Sequence, residues 1–103
     1  MKEVPIIWSE ESLIDLDVIQ DFLSEESLPA ANKVVEGIIE RVSQLKQYPE
    51  SGQRQEGLRS KKYRYLVEGN YKVIYSYKQG EVYIHSILDT RQDPKKMKGS
   101  KRK

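Results

Sequence analysis

The chain has 103 residues, which is room for one compact domain and not for two. Charged residues make up 33% and hydrophobic residues 37%, a polar balance that suits a core of one helix layer on one sheet layer. With no cysteine and a single histidine, His85, disulfide scaffolds and Cys- or His-rich metal centres are excluded, and neither a metal nor another cofactor is expected.

The opening residues Met1 to Ile7 contain no hydrophobic stretch of signal-peptide length. No apolar run approaches the roughly 18 residues that span a bilayer, so a cytoplasmic protein without membrane contact is expected. Val4 to Trp8 reads as a first strand, rich in β-branched residues, and Pro5 confines it to an edge or a strand start. Ser9 is placed to cap a helix whose first turn holds Glu10 and Glu11. Leu13, Leu16, Ile19, Phe22 and Leu23 follow at helical spacing, and the helix is expected to end near Glu26.

Ser27-Leu28-Pro29 turns the chain into a second helix from about Ala30 to Gln47. Its core stripe is Ala31, Val34, Val35, Ile38, Ile39, Val42 and Leu45, and Tyr48-Pro49 stops it. Three alternating segments complete the chain: Tyr63 to Glu68, Tyr71 to Tyr77 and Val82 to Leu88. They are separated by turns at Gly69-Asn70 and Lys78 to Glu81. The expected fold is α+β in the order β-α-α-β-β-β, an antiparallel sheet with a two-helix hairpin packed on one face. Residues 1–97 form its one domain, and residues 98–103 are expected to be a flexible basic tail.

Charge divides the chain. Residues 1–49 carry four basic and ten acidic groups, whereas residues 50–103 carry fourteen basic and six acidic groups. The basic half suits nucleic acid or an acidic partner. Strand parity puts Tyr63, Tyr65, Val67, Val73 and Tyr75 under the helices. Arg64, Leu66, Lys72 and Ile74 then face away from them. If the last strand carries no bulge, Arg64, Lys72, His85 and Arg91 gather on that open face, edged by Arg59. Such a cluster would bind phosphate, although a solvated sheet face can carry the same residues.

Several segments in this order resemble the RelE/ParE superfamily of toxins from bacterial toxin–antitoxin operons. They are Trp8 to Leu16, Leu45 through Pro49 to Gly52, Gly57-Leu58-Arg59, Asn70 to Tyr75, and Ile84 to Pro94. The resemblance implies a toxin neutralised by a cognate acidic antitoxin, with which it oligomerises. Members resembling ParE poison DNA gyrase. Members resembling RelE cut mRNA on the ribosome, with cationic side chains on the phosphate and a tyrosine or histidine activating the ribose 2′-hydroxyl.

Mapped onto this chain, Arg64, Lys72 and Arg91 fall where the RelE-like enzymes carry cations. Leu66 stands where they carry a second lysine. Met97 lies near their C-terminal tyrosine, and no tyrosine follows Tyr83. These departures point to a ParE-like toxin acting on gyrase, with no catalytic residue assigned. The alternative is an mRNA interferase with the ribosome and mRNA as partners and His85 as candidate base. Outside the family, a small basic nucleic-acid-binding module would have the same charge. For Arg59, Arg64, Lys72 and Arg91 the expected role is contact with an anion or with the target.

Overall fold

The computed structural model describes residues 2–54 and 62–91. Arg59, Met97 and the basic tail at 98–103 lie outside the described residues, as does the domain boundary at residue 97. Strand β1 (Ile6–Trp8) leads into helices α1 (Glu10–Ser24) and α2 (Leu28–Ser43), and a 3₁₀ turn at Gln44–Lys46 extends the second helix. Strands β2 (Gln53–Arg54), β3 (Tyr63–Glu68), β4 (Tyr71–Lys78) and β5 (Glu81–Asp89) follow. Both helices pack on one face of a five-stranded sheet of order β1-β5-β4-β3-β2.

The α+β class and the order of the main elements are those the sequence implies. Two features refine it. β1 runs parallel to β5, pairing Ile6 with Val82 and Trp8 with Ile84, so the sheet is mixed. The two-residue strand β2 pairs antiparallel with β3 at Tyr65 and Arg64.

Local chemistry explains the boundaries. The Ser9 side chain accepts from the Ser12 N–H at 3.0 Å and so caps α1. Ser27 does the same for α2 through the Ala30 N–H at 3.2 Å. The helix therefore starts before Ala30, since Pro29 sits in the first turn, where a missing N–H costs nothing. The hairpin β3–β4 turns on Gly69, with φ 59°, and β4–β5 turns on Gln79 and Gly80, with φ 55° and 78°. Positive φ here matches the twist of a two-residue hairpin loop.

Leu16, Ile38, Val42 and Leu45 from the helical layer meet Leu66, Val73, Tyr75, Val82, Ile84 and Ile87 from the sheet. α2 buries the stripe read from its sequence, except that Ile39 stays 45% exposed. α1 is rotated from its expected setting. Ser12 and Leu16 are buried, and Asp15 turns toward β5, which leaves Leu13 and Phe22 in solvent beside Ile14 and Val18.

The parity expected for β3 is reversed. Leu66 pairs with Val73 and is 2% exposed, so it belongs to the core. Tyr63, Tyr65 and Val67 face the other way, opposite Ser76, Ile74 and Lys72. The cause is energetic. Leu66 is the wholly apolar member of its parity set, whereas the tyrosines keep their hydroxyls wet on the open side. β5 also carries a bulge, because Tyr75 pairs with Ile84 and Ile74 with Ser86, leaving His85 as the extra residue.

Candidate functional site: the open sheet face

The sheet face turned away from the helices is built from three cross-strand rows. Tyr63, Ser76 and Tyr83 form the first, Tyr65, Ile74 and Ser86 the second, and Val67, Lys72 and Leu88 the third. The bulge adds His85 to the first row. Its Nε2 lies 2.9 Å from Ser76 Oγ, and its ring meets Tyr63 edge to face with centroids 5.0 Å apart. Burial pushes the His85 pKa below its ordinary value, and nearby Lys62 pushes the same way against the weaker pull of Glu11. The imidazole is therefore neutral at physiological pH.

Each tyrosine of β3 has a lysine beside it. Lys62 Nζ lies 5.5 Å from the Tyr63 ring centre, and Lys72 Nζ lies 4.2 Å from that of Tyr65. The Tyr65 hydroxyl donates to Gln53 Oε1 at 3.0 Å, which fixes the ring at the sheet margin. At the other margin the Tyr83 hydroxyl donates to Glu81.

The expected four-residue cluster does not assemble. Lys72 and His85 share the open face, but Arg64 lies on the helix side, opposite Tyr75. Its Nη1 donates to the carbonyls of Glu50 at 3.1 Å and Gly52 at 2.9 Å, so it holds the loop before β2. Arg91 sits at another corner, paired with Asp89 at 2.9 Å, with its guanidinium 5.9 Å from the Tyr71 ring centre. Arg91 draws the Asp89 carboxyl below its ordinary pKa. The reversed parity of β3 removes Arg64, and the bulge in β5 separates His85 from Arg91.

Sequence reasoning assigned Tyr63 and Tyr65 to the core and gave no part to Ser76 or Tyr83. Leu66 stands between Arg64 and Glu68 on its parity while Tyr63, Tyr65 and Val67 hold more apolar area, so the strand by itself did not decide which face is core. Among the described residues, no group of three or more His, Asp or Glu side chains is placed to hold a metal ion. Nor is any described helix long and apolar enough to cross a membrane.

A second surface lies on the helices. Ile14, Val18 and Phe22, spaced four residues apart along α1, are 54%, 60% and 63% exposed. Beside them, Val18, Ile19, Phe22, Tyr71 and Ile87, with the carboxylates of Asp15 and Asp89, line a pocket of about 270 Å³. Asp17 and Asp21 flank the stripe on the helix.

The helix hairpin on this sheet thus carries an uncovered apolar face. Residues 6–94 match the family described as the ParE toxin of the type II toxin–antitoxin system parDE, and the chain belongs to that family. Its fold is similar to that of the chromosomal ParDE TA system of P. aeruginosa. That match has a TM-score of 0.74 at 24% identity, covering 86% of this chain and 98% of the other. A similar fold occurs in the toxin–antitoxin complex RelBE2 of Mycobacterium tuberculosis. There the TM-score is 0.65 at 12% identity, covering 86% of this chain and 93% of the other. No curated protein matches the chain in sequence.

Proposed function

We propose that this chain is the toxin of a type II toxin–antitoxin pair and that it arrests growth by acting on DNA gyrase. The carrying observation is the dispersal of the cations. A nuclease site would gather them around the scissile phosphate to offset developing charge. Here Arg64 binds backbone carbonyls and Arg91 binds Asp89, both away from His85. Leu66, at the position of a second lysine in the RelE-like pattern, is core. A protein that works by binding its target needs no such apparatus.

The antitoxin is proposed to cover the apolar stripe of α1 and its neighbouring pocket. An apolar helix face at more than half exposure supports a partner surface. The basic half of the chain attracts an acidic segment of that partner, with charge speeding encounter more than it adds affinity. Cytoplasmic action follows from such a target.

One observation favours a second reading. A neutral His85 on an open face, with Lys62 nearby, has the protonation state of a general base for mRNA cleavage. The experiment sets the two readings against each other with the purified protein. Inhibition of gyrase supercoiling, with ribosome-bound mRNA left intact, is the expected result. Cleavage of mRNA on the ribosome that disappears in His85→Ala would overturn it.

A further inference from the structure

The open sheet face has a chemistry that binding to a protein target does not call on. It is not apolar enough to demand a protein cover, yet it sets aromatic rings and ammonium groups side by side. Tyr63 and Tyr65 are successive same-face residues of β3, each half-buried and each with a lysine at its ring. Neither ring is part of the core. Their paired neighbours across β4 are short or aliphatic, Ser76 and Ile74. A base laid on Tyr65 takes the place that Lys72 Nζ now holds over the ring, and one laid on Tyr63 has the edge-on His85 ring beside it.

We propose that this face binds single-stranded DNA, with bases stacked on Tyr63 and Tyr65 and the intervening phosphates held by Lys62 and Lys72. The spacing favours a single strand. Same-face residues on a strand stand about 7 Å apart, twice the rise of about 3.4 Å between stacked bases of a duplex. Consecutive bases reach both rings only when the strand is unstacked and drawn out. Displaced from the ring it now stands over, each ammonium comes within reach of the phosphate that follows the stacked base.

Charge complementarity agrees. Lys62 and Lys72 bring two ammonium groups to the tyrosines of this face, whereas Arg64 and Arg91 are engaged elsewhere. Glu81, bound by the Tyr83 hydroxyl, is an acidic group at the far margin and limits the strand's path to the β3–β4 side. His85 has lost its charge to burial and Lys62, so it offers a neutral ring rather than another phosphate contact. The choice of DNA over RNA rests on the gyrase reading, since that enzyme opens DNA. Binding to the face itself does not depend on gyrase.

The test is fluorescence anisotropy of a labelled fifteen-nucleotide oligo(dT) with the full chain, in the absence of gyrase, over a range of salt. Saturable binding is expected, and Tyr65→Ala should weaken it by about 5- to 150-fold, the usual loss of one base–aromatic stack. Tyr65→Phe should bind nearly as well as the parent, because the ring and not the hydroxyl does the stacking. Lys72→Gln should lower the slope of log affinity against log salt by about 0.7, one phosphate contact on a single strand. Thermal melts establish that each variant is folded, and Lys72→Gln keeps the proposal testable should Tyr65→Ala not fold.

Three results would overturn the proposal: no saturable binding, equal losses in Tyr65→Phe and Tyr65→Ala, or an unchanged salt slope in Lys72→Gln. Oligo(U) bound ten times more tightly than oligo(dT) would overturn the assignment to DNA. A protein that binds oligo(dT) as stated yet leaves gyrase unaffected would refute the gyrase reading and leave this site standing.

Discussion

The Asp15 carboxylate accepts a 2.8 Å hydrogen bond from the backbone N–H of Ile87, and with it α1 seals the stretch of β5 that β1 is too short to reach. The seal begins at the N-cap of α1, where the Ser9 N–H donates to the Ile84 carbonyl and Ser9 Oγ donates to that of His85. A strand edge with these groups satisfied offers little to another chain. The helix thus does for the second half of β5 what a neighbouring strand does for the first.

Asp15→Ala should therefore destabilise the fold by about 1–3 kcal/mol, the cost of leaving the Ile87 N–H without its acceptor. Asp15→Asn retains an acceptor oxygen and removes a carboxylate whose pKa is raised by desolvation, so it should cost much less. Chemical denaturation of both variants measures the difference. Equal losses would show that the charge, and not the hydrogen bond, is what β5 requires.

The loop before β2 is locked by a tyrosine. The Tyr75 hydroxyl donates to the Pro49 carbonyl at 2.8 Å and accepts from the Gly52 N–H at 2.9 Å. A Cβ at position 52 would lie 2.6 Å from the Tyr75 ring and hydroxyl and 2.8 Å from the Tyr65 carbonyl. Gly52→Ala should accordingly cost about 1–3 kcal/mol through forced displacement. Tyr75→Phe should cost a similar amount by orphaning the buried Gly52 N–H and the half-buried Pro49 carbonyl. Thermal melts of the two variants test both figures, and a neutral Gly52→Ala would mean the loop has another place to go.

The two arginines should separate in their effects. Arg64→Ala removes the clamp on Glu50 and Gly52 and should lower stability by about 1–2 kcal/mol, with any fall in toxicity following the fall in folded protein. Arg91 forms a half-exposed pair with Asp89, and such pairs contribute little. Arg91→Ala should leave the melting temperature nearly unchanged. Toxicity lost at constant melting temperature would assign Arg91 to target contact. Toxicity retained would confine it to its pair with Asp89.

His85 sets a pH dependence with a definite sign. Its folded pKa lies below the ordinary value of about 6.5, so the unfolded chain binds the proton more tightly. Its contribution is intact above about 6.5 and is lost as the pH falls from there through the folded value. Asp15 acts oppositely in a more acidic range. Its raised pKa costs stability at neutral pH, and that cost is relieved as the carboxyl is protonated. Denaturation midpoints between pH 7.5 and 5 should fall for the parent and stay flatter for His85→Gln. Parallel curves would place the titration on another group.

What was legible in the sequence and what was not divides along range. Ser9 announces a helix start through its own side chain, and Gly80 announces a turn through its missing Cβ. Both signals are complete within a few residues. The setting of Leu66 depends on which parity of β3 finds a better core across the sheet. That was open while Tyr63, Tyr65 and Val67 offered more apolar area than Leu66 alone. The bulge at His85 is harder still, because it comes from the different demands of Ile84 and Ile87, both of which reach the core. A site read by counting along a strand fails at the first residue that breaks the count.

Ile6 to Trp8 cannot find their partners Val82 to Ile84 until more than seventy further residues have been made. At a synthesis rate of about 5–20 residues per second, that interval lasts about 4–15 s. Throughout it the helix hairpin lacks β5, the strand on which α1 packs, and Leu16 is as bare as Ile14 and Val18. A partner waiting nearby would meet both faces of α1 rather than one. If the proposed antitoxin covers the stripe of α1, neutralisation has a head start over harm, because that stripe is made early and the strand that completes the fold comes last.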